Sequence, residues 1–98
     1  MTADLLTIEM FADKLGQAFV LEEEDVPAIE FTLTEATPLR NFAQLPREPF
    51  SLLFVTRGVE VLPQRMCALR HADLGLHSIF VVPIGQQGDE VTYQAIFN

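Results

Sequence analysis

The chain has 98 residues, of which 49% are hydrophobic and 20% are charged, and its formal net charge is −8. A length and composition of this kind predict one globular domain over residues 1–98 and argue against a disordered chain. The one cysteine, Cys67, excludes an internal disulfide. We therefore expect a reducing compartment, with the cytoplasm as the default location.

The negative charge is concentrated in the first third of the chain. Residues 1–35 carry nine acids and one base, a sum of −8, whereas residues 36–98 carry five acids and five arginines, a sum of zero. Phosphate and anionic lipid are bound by clustered Lys and Arg, so we expect neither nucleic acid nor membrane as a partner. No apolar run approaches the roughly 20 residues that a membrane-spanning helix needs. An acidic mimic of nucleic acid remains a further hypothesis, which rests on this asymmetry alone.

The N-terminal region predicts one short helix from Thr7 to Gly16. Its apolar residues recur at helical spacing and would form one stripe that closes an end of the core; they are Ile8, Phe11, Ala12 and Leu15. Thr7 is a suitable N-cap, and Gly16 can adopt the left-handed conformation after the last turn.

After Gly16 the hydrophobic period changes to two, which is typical of strands. The predicted strands lie around Phe19 and Leu21, at Ile29–Thr34, Phe50–Thr56, Arg65–His71, Leu76–Ile84 and Val91–Phe97. The run at Phe50–Thr56 is apolar on both faces, so we expect a central, fully covered strand. Pro83 predicts an edge or a bulge within its strand, and the stretch from Leu39 to Pro49 predicts the longest loop.

The connections between these strands are short, and short connections make neighbouring strands antiparallel. The sequence therefore predicts a mainly β fold: a small antiparallel β-barrel or strongly bent sheet of about six strands, with one short N-terminal helix. Val91–Phe97 either closes the barrel against the strand near Phe19 or pairs with another chain, and we expect closure. Self-association would then use a side face that carries exposed apolar residues of the Leu39–Leu45 loop, such as Phe42.

Several segments together resemble a known family over nearly the whole chain. They are Phe11 with Gly16 and Phe19, residues 47–54, 62–64, 69–71 with 74–75, 80–85 and 93–98. The family is an uncharacterised bacterial domain of unknown function, whose members are often encoded near phage-tail-collar-like proteins. The resemblance implies an accessory or structural role beside a tail-like particle. It implies no activity, no cofactor and no site residues.

Few residues have the spacing that chemistry requires. Cys67, His71 and Asp73 are the only grouping of nucleophile, base and orienting acid, but Cys67 and His71 would lie about 13 Å apart along a strand. His71, Asp73 and His77 offer fewer ligands than a zinc site usually has, so we expect a surface hairpin with two histidines. The four consecutive acids at 22–25 lack the alternation of a calcium loop, and we expect a solvated turn.

The sequence thus predicts no catalytic, cofactor-binding or metal-binding residue. It favours a non-enzymatic structural or protein-interaction module that binds a protein partner or a second copy of itself. The alternative is a small-ligand-binding or enzymatic barrel with a pocket near His71 and His77. Arg47 and Glu48 predict either an ion pair that fixes the long loop or part of a contact surface. The candidate interaction residues are Phe42, Arg47, Glu48, His71 and His77.

Overall fold

Alternating inward and outward side chains build a closed barrel in this chain. The computed structural model describes residues 6–24, 26–42, 44, 46, 48–58 and 60–98. Its elements in chain order are the helix α1 (Ile8–Ala12) and the strands β1 (Ala18–Leu21), β2 (Glu30–Pro38), β3 (Phe50–Arg57), β4 (Arg65–His71), β5 (Gly75–Gln87) and β6 (Glu90–Phe97).

The six strands pair in the order β1-β2-β3-β6-β5-β4, and β4 returns to β1 to close the barrel. Every pairing is antiparallel. The predicted fold class is therefore confirmed, as a closed barrel. The predicted closure by the last strand is wrong, because β6 lies between β3 and β5. The seam is instead a short ladder in which Val20 pairs with Arg70 and Leu21 with Leu69.

Strand β3 supplies a large part of the core. Phe50, Leu52 and Phe54 point inward and are fully buried, whereas Leu53 and Val55 on the outer face are only half-buried. The prediction that both faces of this strand are covered is thus only partly right. The reason is that the barrel has one interior, so alternate residues of even its most apolar strand lie on the outside.

Aromatic rings fill the interior from one end to the middle. Phe54 meets Phe19 and Phe31 edge-on, with ring centroids 5.5 and 6.2 Å apart. Phe50 stacks on Phe97 at 4.6 Å with the two planes only 7° apart. Phe11 of the helix contacts this group and closes that end of the barrel, as the sequence predicts. Packed aromatic rings therefore fill this part of the barrel interior.

The helix is shorter than predicted. It ends at Ala12, and Asp13 is its C-cap. Gly16 does adopt a positive φ of 84°, but its N–H donates to Leu33 O on β2 at 2.7 Å, outside the helix. The chain thus leaves the helical path to join the sheet, and Leu15 is exposed rather than part of the buried stripe.

The predicted hairpin between β4 and β5 is present. Gly75 has a φ of +82° and pairs with His71, so the turn between β4 and β5 is Ala72–Leu74. Strand β5 continues beyond the predicted end to Gln87, because a register shift between Pro83 and Gly85 lets it bend and stay paired with β6. The predicted bulge at Pro83 is therefore confirmed.

We expect Phe54→Ala to lower the free energy of unfolding by about 3–5 kcal/mol, because it leaves a cavity beside the buried rings of Phe19 and Phe31. Chemical denaturation measures the loss. The matched control is Phe42→Ala, the same truncation at a side chain that is 82% exposed, which should stay within about 0.5 kcal/mol of the wild type. A loss below about 1 kcal/mol at Phe54 would contradict its central place in the core.

Candidate functional site

The two histidines of the β4–β5 hairpin both contact backbone groups of the turn between them. His71 Nδ1 accepts hydrogen bonds from the backbone N–H groups of Asp73 at 3.0 Å and Leu74 at 3.3 Å. Its other ring nitrogen, Nε2, lies 2.6 Å from Gln17 Oε1. His77 Nε2 lies 2.7 Å from Leu74 O. Both rings therefore hold the Ala72–Leu74 turn in place.

The prediction of two surface histidines is wrong for His71, whose side chain lies inside the barrel against the Phe19 ring and is 4% exposed. The cause is its position on β4, where it shares the inward face with Cys67 and Leu69. His77 is half-buried. Among the described residues, no group of three or more His, Cys, Asp or Glu side chains is arranged to hold a metal ion.

Cys67 lies on the inward face of β4 and is fully buried. Burial raises the pKa of its thiol, and the nearby Arg65 guanidinium offsets that rise only in part. Both ring nitrogens of His71 are occupied by the turn and by Gln17, and Asp73 is exposed. The structure thus does not join Cys67, His71 and Asp73 into a nucleophile with its base.

The interior holds one polar group without a described partner. The Thr56 hydroxyl is buried on the inner face of β3 and makes no hydrogen bond with any residue that the structure describes. The Tyr93 hydroxyl, by contrast, accepts a hydrogen bond from the backbone N–H of Leu62 at 2.8 Å. A lone hydroxyl does not form the convergent set of polar groups from which an active site is built.

Two acids of the run at 22–25 bind β4 across the barrel seam, so these two are not simply part of a solvated turn. Glu22 accepts two hydrogen bonds from the Arg70 guanidinium, at 2.7 and 2.9 Å. Glu23 pairs with Arg65 and also accepts the backbone N–H of Ala68. Arg70 lowers the pKa of the Glu22 carboxyl, and Glu22 in turn raises the pKa of Arg70. Sequence reasoning missed these pairs because the partners are 48 and 42 positions apart.

The loop after β2 presents the most exposed large apolar side chain of the described residues. Phe42 is 82% exposed, and the Arg40 guanidinium carbon lies 5.3 Å from the centroid of its ring. Leu39 N–H donates to Pro49 O at 2.9 Å and so fixes the base of this loop. Glu48 is exposed, and Arg47 lies outside the described residues. The ion pair predicted between Arg47 and Glu48 therefore stays a prediction.

Large apolar side chains also lie on the outer face of β4, β5 and β6. Met66 pairs directly with Phe80 across β4 and β5, and Ile96 lies on the neighbouring β6. These three residues, which we call the outer strip, are 54%, 46% and 55% exposed. The alternation of β5 and β6 could have indicated them, because the residues between their inward positions here are apolar rather than polar.

The outer face of β2 and β3 carries a shallow groove of about 420 Å³. It is lined by Ala28, Ile29, Glu30, Thr32, Thr34, Val55 and Arg57. Arg57 is already paired with Glu90 at 2.7 Å, whereas Glu30 makes no ion pair with a described residue. The lining is therefore mixed: Ala28, Ile29 and Val55 supply apolar surface beside two threonines, and the Glu30 carboxylate has no ion pair with a described residue. The groove does not lie at His71 and His77, where the sequence placed the alternative pocket.

No helix within the described ranges has both the length and the apolar character required to cross a membrane. Residues 6–97 match a protein family described as a domain of unknown function, DUF6916. The chain belongs to this family. No similar protein was found among the curated proteins, and none among the solved structures. The family assignment confirms the resemblance to an uncharacterised domain and assigns no activity to this DUF6916 chain.

We expect the Cys67 thiol of this DUF6916 domain to be inert in the folded protein, because it is buried and its raised pKa keeps it protonated at neutral pH. Ellman's reagent should label the native protein at least ~1,000-fold more slowly than the chain in denaturant, in line with the small population of opened molecules. Prompt labelling without denaturant would contradict this and restore Cys67 as a candidate nucleophile.

We expect the Glu22 carboxyl to titrate below its ordinary range in NMR, because Arg70 favours its charged form. Its pKa is lower in the folded than in the unfolded chain, so its contribution to stability is present at neutral pH and is lost as the pH falls through the folded value. Arg70→Gln should return the Glu22 pKa to its ordinary range, and the control Arg57→Gln should not. An ordinary Glu22 pKa in the wild type would rule out the seam ion pair in solution.

Proposed function

We propose that this DUF6916 domain is a non-enzymatic protein-interaction module that binds a protein partner through its outer strip. The observation that carries the proposal is the exposed cross-strand pair of Met66 and Phe80, with Ile96 on the next strand. A directly paired patch of exposed apolar side chains, such as Met66 with Phe80, is more typical of binding sites than isolated apolar residues are. The described interior supports the same view, because His71 is bonded to the turn and Gln17, Tyr93 to Leu62, and the Thr56 hydroxyl has no described partner.

The charges of the domain indicate the chemistry of the partner. Most of the described cations are engaged by acids of the same chain, namely Lys14, Arg57, Arg65 and Arg70. Exposed carboxylates such as Glu24, Glu35 and Glu60 have no such partner among the described residues. A partner with an apolar centre and a basic rim therefore complements this surface, whereas nucleic acid and anionic membrane do not. We place the domain in the cytoplasm as part of the same proposal.

A narrower version of the proposal makes the domain an accessory of a phage-tail-like particle in a bacterium. It is supported by the family resemblance of the sequence and by a closed, compact barrel that can dock as a rigid unit. Genes for tail-like structural proteins beside the gene for this chain would support the narrower version. A neighbourhood that lacks particle genes would overturn it and leave the broader proposal standing.

The outer strip is tested by a photo-crosslinking residue placed at position 80 and, as a control, at the exposed position 37 on β2. We expect one protein to be crosslinked from position 80 and not from position 37. Binding of the purified partner should then weaken about tenfold or more with Phe80→Lys, which places a charge in an apolar contact, and be unchanged with Thr37→Lys. Equal crosslinking from both positions, or unchanged binding by Phe80→Lys, would overturn the proposal.

A further inference from the structure

The Phe42 loop and the β2–β3 groove are complementary surfaces of one chain. Phe42 projects from its loop with Arg40 beside it, and Arg40 makes no ion pair with a described residue. The groove offers the apolar side chains of Ile29 and Val55 together with the Glu30 carboxylate, which makes no ion pair with a described residue. We propose that the domain self-associates head to tail, with Phe42 of one copy seated in the β2–β3 groove of another and Arg40 paired with Glu30.

The size and chemistry of the groove fit this occupant. Its volume of about 420 Å³ lies in the range of clefts that bind small groups, and Val55 and Ile29 supply apolar contacts for a phenyl ring. Arg57 does not compete for the Glu30 carboxylate, because its guanidinium binds Glu90 at 2.7 Å. The incoming Arg40 thus brings a positive charge to the point where one negative charge is uncompensated.

Phe42 does not occupy the β2–β3 groove of its own chain. The groove residues of β2 lie between Glu30 and Thr34, and Pro38 ends the strand four to eight residues later, roughly 13–26 Å away. The bond from Leu39 to Pro49 then fixes the loop at that end. Phe42 and the groove are therefore different sites on one copy, so the contact is heterologous and generates a ring or an open chain.

Strand pairing between copies is not needed for this association. Each of the six strands in the closed barrel is paired on both sides, so none is an edge strand with which a second copy could pair along its length. The net charge of −8 opposes the approach of two copies, and salt screens this long-range repulsion over about 8 Å at physiological ionic strength. We therefore expect self-association to increase with protein concentration and to be stronger at about 0.15 M salt than in dilute buffer.

Sedimentation velocity of the purified chain tests the inference over a series of concentrations up to about 1 mM, with circular dichroism to confirm that each variant is folded. Wild type should form species larger than a monomer. Phe42→Ala removes the inserted ring and Thr32→Lys fills the groove, so each variant alone should be monomeric. An equimolar mixture of the two should form dimers and nothing larger, because one variant keeps its groove and the other keeps its Phe42.

A charge exchange gives an independent arm. Arg40→Glu and Glu30→Arg should each abolish association, and the chain that carries both changes should associate again. The inference is overturned if the wild type is monomeric throughout, if Phe42→Ala still associates, or if the mixture of Phe42→Ala and Thr32→Lys stays monomeric.

Met66→Ala separates this inference from the proposed function, because it changes the outer strip and leaves the groove intact. It should self-associate like the wild type. Loss of self-association by Met66→Ala would assign the contact between copies to the outer strip and overturn the inference. Self-association that behaves as expected while crosslinking from position 80 fails would overturn the proposed function alone.

Discussion

Closure of the barrel between β1 and β4 is the constraint on which the rest of the structure depends. This ladder has only two paired positions, against seven between β4 and β5 and eight between β3 and β6. The seam is extended by side chains and backbone beyond the end of β1. Glu22 N–H donates to Ala68 O at 2.9 Å, and Glu22 and Glu23 bind the guanidinium groups of Arg70 and Arg65. These ion pairs connect β4 to the residues that follow β1, where the backbone ladder has ended.

Closure determines what the interior can contain. A six-stranded barrel leaves room for side chains rather than for a channel, and the aromatic rings around Phe54 use that room. An unpaired polar group is costly there, and the Thr56 hydroxyl is one without a described partner. His71, by contrast, bonds both of its nitrogens to Gln17 and to the turn. Inside the described barrel, His71 and Tyr93 thus hydrogen-bond to backbone groups or to a neighbouring side chain.

The outer surface divides into regions of different character. The face of β4, β5 and β6 carries the apolar outer strip, while β2 and β3 carry a groove with threonines and one free carboxylate. Most of the described arginines are paired with acids, so the unpaired charges on the described surface are mainly negative. The two proposals therefore use separate surfaces and are independent in their tests.

Local patterns in the sequence determined which segments form strands and which residues face inward. Alternation at Val91–Phe97 and the edge or bulge expected at Pro83 are properties of neighbouring residues, and the structure has this strand with a bulge at Pro83. The mainly β class with one short helix follows from them. The same patterns indicated Phe42 as an exposed apolar residue, because a loop residue has no inward face to occupy.

Only the tertiary structure decided which strands are neighbours and which groups meet across the barrel. Alternation gives the face of a residue but not the identity of the strand beside it, so β6 was expected next to β1 and lies between β3 and β5. The same limit applies to Glu22 with Arg70, which are 48 positions apart, and to the groove, whose lining comes from β2, β3 and the segment before β2. The burial of His71 is subject to the same limit. Its inward orientation follows from its position along β4, but the Phe19 ring that covers it belongs to another strand. Contacts between residues far apart in the sequence depend on which strands become neighbours in the closed barrel. The hydrophobic periodicity of a short segment does not determine those neighbours.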